Sequence, residues 1–163
     1  LRTGRADNSG FMRIFRTIVS ALAVWAMTAA TTVADDIGSV VTPTGVNVQT
    51  HIEAGTRLVI AVVPTMDVKL NGQLGIGFTP LDDQMVWTDS LPSVVMVEGD
   101  YFEGPVLQTM SFDPEYLNAP AVLGITFGAC LPVSGVCILE EAEVTLEHSQ
   151  DGSIGLTLAT VTP

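Results

Sequence analysis

Val46-Asn47-Val48-Gln49-Thr50-His51-Ile52-Glu53-Ala54-Gly55-Thr56-Arg57-Leu58-Val59-Ile60-Ala61-Val62-Val63 is the stretch whose reading decides the fold. Val46, Val48, Thr50 and Ile52 alternate with Asn47, Gln49 and His51, the period of two that puts successive side chains on opposite faces of a strand. Ala54-Gly55-Thr56 supplies turn chemistry. Arg57–Val63 is then dense in β-branched residues, which pack well on a pleated surface, and Pro64 ends it.

Reading outward, the same character continues. Val68–Leu70 stops at Asn71-Gly72, a dipeptide that signals a two-residue hairpin into Leu74–Phe78. Met85–Trp87, Val94–Glu98, Val106–Phe112, Ala121–Phe127, Val136–Leu139, Glu143–Glu147 and Ile154–Val161 follow as further strands. Pro80-Leu81-Asp82-Asp83 and Ser90-Leu91-Pro92 separate some of them. One helical turn is expected around Asp113-Pro114-Glu115-Tyr116-Leu117. Short strands with turn signals every 8–12 residues predict an all-β sandwich. No internal repeat or linker divides the region 35–163, which reads as one domain.

The start of the chain reads differently. Met12-Arg13-Ile14-Phe15-Arg16 is a short basic region, Thr17–Ala30 an apolar run, and Thr32-Val33-Ala34 a small-residue cleavage site. That three-part pattern predicts a secretory signal peptide over 12–34, cut after Ala34 with Ala30 as the alternative. Thr17–Ala34 is marginal as a span of roughly 30 Å of hydrocarbon, so removal is expected rather than stable membrane insertion. Residues 1–11 precede the expected start and are set aside from the fold.

The charge balance narrows the partners. The chain carries a formal charge of -12, and from Asp35 onward Arg57 and Lys69 stand against seventeen acids, a net of -15. Nucleic-acid binding is not expected, because phosphate contacts need clustered Lys and Arg. Solvation of the surface accounts for the acidity; steering of a basic partner is the functional alternative.

Chemistry concentrates near the end. Gly128-Ala129-Cys130-Leu131-Pro132-Val133-Ser134-Gly135-Val136-Cys137 contains both cysteines of the chain. Pro132, Ser134 and Gly135 are turn formers between apolar segments, so the pair is expected near a hairpin tip or on a loop between neighbouring strands. Export favours a disulfide or a redox-active pair. Closing an eight-residue loop stabilises by about 2.5 kcal/mol in the chain-entropy model. On the residues alone a structural staple and a redox pair both stay open, the staple being the commoner use outside the cytosol.

Asp100–Leu146 resembles the N-terminal periplasmic domain of the thiol:disulfide interchange protein DsbD. Asp100-Tyr101-Phe102-Glu103-Gly104 is similar to that family's Asp-x-Phe-x-Gly loop. Phe127-Gly128-Ala129-Cys130 is similar to its approach to the first cysteine, and Gly135-Val136-Cys137 to its arrival at the second. Glu141-Ala142-Glu143-Val144-Thr145-Leu146 fits the strand that follows. The cysteine spacing is one residue longer than in the family, and Ile138-Leu139-Glu140-Glu141 stands where Pro-Pro is frequent. The resemblance implies an immunoglobulin-like sandwich in the periplasm, with Cys130 and Cys137 as the exchanging pair and Cys137 the sulfur attacked. It implies that Phe102 caps the disulfide with Tyr101 beside it, and that Asp100 influences proton transfer and thiol pKa. The partners it implies are a membrane electron donor or a thioredoxin-like protein, with no cofactor and no metal.

Other constellations are thin. His51 and His148 have no second histidine or cysteine at ligand spacing and read as surface residues. Ser134 has no identifiable base. Met66, Met85, Met96 and Met110 could join reduced thiols around copper(I), but they are scattered, and packing explains them better. Asp82-Asp83 and Glu140-Glu141 read as solvated acidic pairs at turns or strand ends. The expected function is an exported thiol–disulfide exchange carrier. The competing readings are a non-enzymatic binding or structural module with a stapling disulfide, and a copper-handling protein.

Overall fold

The computed structural model describes residues 37–83, 86–89 and 94–161. The expected upstream segment 1–11, the signal peptide 12–34, Met85 and the turn at 90–92 lie outside the described residues.

Two antiparallel sheets form a β-sandwich. The first contains β1 (Ile37–Val41), β2 (Asn47–Glu53), β3 (Arg57–Val63) and β7 (Val106–Ser111), in the order β1-β2-β3-β7. The second runs β10-β9-β8-β5-β6, built from β5 (Ile76–Pro80), β6 (Val94–Val95), β8 (Ala121–Leu131), β9 (Val136–His148) and β10 (Ile154–Val161). The short β4 (Lys69–Leu70) also pairs with β8.

The alternation read in β2 is realised directly. Val48, Thr50 and Ile52 are buried while Asn47, Gln49, His51 and Glu53 are not. β3 lies between β2 and β7, so its run of apolar residues splits into a buried set (Leu58, Ile60, Val62) and a half-buried set on the other face. The Ala54-Gly55 turn joins β2 to β3 with both residues at positive φ (52° and 71°), and Thr56 N–H closes it on Glu53 O at 3.2 Å. Positive φ at two consecutive central positions is the geometry that matches hairpin twist.

Between the sheets, Leu58, Ile60 and Met110 of the first meet Leu123, Ile125, Phe127, Val144 and Leu146 of the second in one buried cluster. Fully burying each such side chain is worth about 1.5–3 kcal/mol, so this layer dominates the stability of the domain. The expected helical turn is a 3-10 turn, Pro114–Tyr116, whose N-cap Asp113 side chain accepts the Glu115 N–H.

Several expectations need correction. Asn71-Gly72 does not make a hairpin: neither residue has positive φ, and β4 and β5 do not pair with each other. Both pair antiparallel with β8, Leu70 opposite Ala129 and Ile76 opposite Phe127, so the chain leaves the ladder after Leu70 and rejoins it in the same direction. The segments 136–139 and 143–147 are one continuous strand, β9, and the segment 121–127 extends to Leu131. β1 carried no period strong enough to be read. The segment expected at 94–98 is strand only at Val94–Val95, and Trp87 makes an isolated bridge to Phe112 instead of a strand.

Candidate functional site

β8 and β9 form a hairpin whose last pair is Leu131 opposite Val136, leaving the loop Pro132-Val133-Ser134-Gly135. Ser134 N–H and Gly135 N–H both donate to Leu131 O, at 3.1 and 2.9 Å. Gly135 takes φ 69°, the left-handed conformation that glycine adopts without a side-chain clash and that closes the turn. The sequence therefore folds locally in a way that places Cys130 directly opposite Cys137.

The backbone explains their closeness. Asn71 N–H donates to Gly128 O at 2.8 Å, so the even-numbered residues here turn their backbone polar groups toward β4 and away from β9. Cys130 therefore faces Cys137 as a non-hydrogen-bonded pair, the closer of the two antiparallel kinds. Their Cα atoms lie 3.9 Å apart and the sulfurs are bonded at 2.04 Å. The arrangement is compatible with thiol–disulfide chemistry.

The two sulfurs belong to very different surroundings. Cys130 is 1% exposed, whereas Cys137 is exposed. The disulfide lies on the face of the second sheet that points away from the core, because Leu123, Ile125, Phe127 and Ala129 take the core side and Cys130 alternates with them. What covers Cys130 on this outer face is the excursion between β4 and β5. It folds over Gly128, where a Cβ would stand 2.8 Å from Leu74 Cδ1 and 2.9 Å from Asn71 Cβ. Glycine is required by that approach.

Asn71 reaches the disulfide itself. Its Nδ2 donates to Cys130 Sγ at 3.6 Å and to Cys137 Sγ at 3.9 Å. The orientation of the amide is fixed from behind, because Asn71 Oδ1 accepts the Leu74 N–H at 2.8 Å. Asn71-Gly72 was legible in the sequence as a turn signal, but nothing there linked it to cysteines fifty-nine and sixty-six residues away. Lys69, legible in the sequence only as one of two cations after Asp35, is the cross-strand partner of Cys130.

The loop Asp100-Tyr101-Phe102 runs along the far side of this excursion. Tyr101 bridges Asn71, with Gly72 N–H donating to Asp100 O at 2.8 Å and Phe102 N–H to Leu70 O at 3.0 Å. Side chains directly opposite share a face, so Tyr101 shares that of Asn71 and the disulfide, while Phe102 stands beside Leu70, whose partner is core Ala129. Phe102 is 8% exposed and belongs to the core cluster. Tyr101 is 38% exposed and carries the Lys69 ammonium 5.4 Å from its ring centroid. The Asp100 carboxylate accepts from Gln73 Nε2 at 2.8 Å. The structure thus brings Asp100 and Tyr101 alongside the excursion that covers Cys130, and takes Phe102 inward.

Beyond the covered sulfur the hairpin end is apolar and open. Val133 in the loop and Leu139 on the disulfide's own face are exposed, as are Val136 and Ile138 on the opposite face of the hairpin. On the core side of the same hairpin, Glu140 is 6% exposed, which corrects the reading of Glu140-Glu141 as a solvated pair. Its Oε1 accepts the Thr44 N–H at 2.9 Å, and its Oε2 accepts the hydroxyls of Thr42 at 2.5 Å and Thr44 at 2.6 Å. A buried carboxylate needs such donors. Asp82 is likewise engaged, accepting the Val122 N–H.

The remaining sequence candidates lie elsewhere. His51 is partly buried and faces Glu53 at 3.3 Å, and His148 contacts Pro114 O at 3.1 Å. Met110 is in the core, while Met66 and Met96 are exposed. Among the described residues no group of three or more His, Cys, Asp or Glu is placed to hold a metal ion. Asp89 and Asp151 are held below the ordinary carboxylate range by hydrogen bonds from Ser111 and Ser153 respectively. Comparison with protein-family models, curated proteins and solved structures finds no match to this chain.

Proposed function

We propose that the protein is an exported thiol–disulfide exchange carrier that cycles Cys130 and Cys137 between disulfide and dithiol. The observation that carries this reading is the asymmetry of the pair, Cys137 exposed and Cys130 1% exposed. Exchange requires one accessible sulfur to be attacked in line and the other to leave as thiolate. A partner thiolate bonds to Cys137 Sγ, the Cys130–Cys137 bond breaks, and its electron pair leaves on Cys130 Sγ. The second thiolate of a dithiol partner then attacks the partner's own sulfur in the mixed disulfide and releases Cys137. The partner is oxidised to a disulfide, and this chain gains two electrons and, on protonation, two protons. The reverse sequence hands them to the next disulfide.

Exposed Val133 in the adjoining loop and exposed Leu139 on the face of Cys137 suit transient contact with another protein, and the resemblance to the DsbD N-terminal domain supports a membrane electron donor or a thioredoxin-like protein as the dithiol. The signal read over 12–34 supports a periplasmic location.

Two measurements test the reading. With Cys130→Ser, the remaining Cys137 should trap a mixed disulfide with a thioredoxin-like protein activated at its nucleophilic cysteine. The wild-type reduction potential should lie above about -300 mV, the level below which structural exported disulfides usually fall. A lower potential together with no trapped species would make the bridge a staple and the protein a structural or binding module.

A further inference from the structure

We propose that Asn71 is the positioning residue of the disulfide, holding Cys130 Sγ in a donor contact that strengthens as that sulfur leaves as thiolate. The inference rests on the exchange reading above and adds to it the group that receives the developing charge.

Three observations carry it. Asn71 Nδ2 lies within donor distance of both sulfurs and nearer to that of Cys130, at 3.6 against 3.9 Å. The amide cannot reverse freely, since its oxygen is bound to the Leu74 N–H and its backbone N–H to Gly128 O. Cys130 is nearly inaccessible to water, so a thiolate formed there has few alternative donors. A hydrogen bond to an anionic acceptor is roughly twice as strong as one between neutral groups. The contact is weak to a disulfide sulfur and strong to a thiolate, and only an interaction that strengthens along the reaction lowers its barrier.

Among the described residues, few charged or titratable groups stand on the elements around the leaving sulfur. Lys69 lies opposite Cys130 on β4, with its ammonium over Tyr101. Asp100 and Glu103 flank Tyr101 in the same loop, and Glu141 stands further along the outer face of β9, opposite Thr126. Asn71 is the residue whose side chain makes hydrogen-bond contact with both sulfurs among those described.

Two substitutions separate positioning from support of the turn. Asn71→Ala removes the donor and the bond to Leu74 N–H. Asn71→Asp keeps an oxygen for Leu74 N–H, removes the donor and adds a carboxylate charge beside the sulfurs, so the uncharged Asn71→Ala reads the loss of the donor and Asn71→Asp reads the turn. Both should reduce the rate of exchange with dithiothreitol by about tenfold, the scale expected when a charge-assisted bond is lost. In a Cys137→Ser background, where Cys130 is a free thiol, each should raise the Cys130 pKa by about one unit, followed by thiolate absorbance against pH. A role confined to the turn would leave that pKa in place in Asn71→Ala, which adds no charge. If Asn71→Ala slows exchange while Asn71→Asp does not, the turn is responsible and the proposal fails. If the wild type exchanges readily and neither the rate nor the pKa moves in either variant, the proposal fails and the exchange reading survives. If the wild-type disulfide is reduced only when the domain unfolds, the exchange reading fails and this proposal with it.

Discussion

Glu140 accepts the Thr44 backbone N–H at 2.9 Å and the Thr44 hydroxyl at 2.6 Å, tying the turn between β1 and β2 of one sheet to β9 of the other. Thr42 adds a third donor to the same carboxylate. The link stands three residues after Cys137 and anchors the base of the hairpin end that carries the disulfide.

Removing that carboxylate should therefore be costly. Glu140→Ala leaves the buried Thr42 hydroxyl and the part-buried Thr44 N–H and hydroxyl without their acceptor, and the expected loss is about 1–3 kcal/mol. Urea unfolding at neutral pH measures it. A loss within 0.5 kcal/mol or so, the range of ordinary surface substitutions, would show that the turn finds other partners.

In the reduced protein, a soluble alkylating agent at limiting concentration should modify Cys137 before Cys130, by roughly tenfold or more, because exposure governs access to a thiol. Peptide mapping after a short reaction reports the order. Equal labelling would mean that reduction opens the excursion over Cys130.

Phe102→Ala should cost about 3–5 kcal/mol, the range for a buried aromatic, since Phe102 sits in the core beside Leu70. Tyr101→Ala, at a half-open site, should cost about 1 kcal/mol or less. Any faster reduction of the disulfide in Phe102→Ala should then scale with the unfolded population, as parallel denaturation and reduction curves would reveal. Faster reduction at unchanged stability would instead make Phe102 a shield.

Gly128→Ala should destabilise by roughly 1–3 kcal/mol through overpacking. The new methyl would meet Asn71 Cβ, which is anchored to the backbone, at 2.9 Å. Displacement of Asn71 should also slow exchange in the folded fraction, so stability and exchange rate should fall together in this variant.

At low pH, the carboxyls of Asp89 and Asp151 should titrate below the ordinary aspartate value, because hydrogen bonds from Ser111 and Ser153 favour the charged form. Because their folded values are depressed, whatever stability their hydrogen bonds add is present above the unfolded value and is lost as pH falls through the folded one. Carboxyl chemical shifts followed by NMR would test the direction; midpoints at or above the ordinary aspartate value would mean that the Ser111 and Ser153 contacts do not persist in solution.

Much of this protein is written locally. The period of two in β2, the apolar density of β3 and the turn chemistry of Ala54-Gly55 and Pro132–Gly135 specify strands and their reversals. These depend on neighbours a few residues apart. The Cys130–Cys137 pairing is local in the same sense, a separation of seven residues across one hairpin. Tertiary structure decided the rest. Asn71-Gly72 carries a hairpin signal, yet β8 offered one long edge to both β4 and β5, and the ladder outweighed the dipeptide. Tyr101 and Phe102 are adjacent and aromatic, and the pairing of Phe102 with Leu70 alone determines which of them turns inward. Glu140 looks like a surface acid until Thr42, ninety-eight residues earlier, arrives with its hydroxyl. A strand's period tells which residues alternate, but which face is covered, and by which polar group, is settled by segments that meet only when the two sheets close.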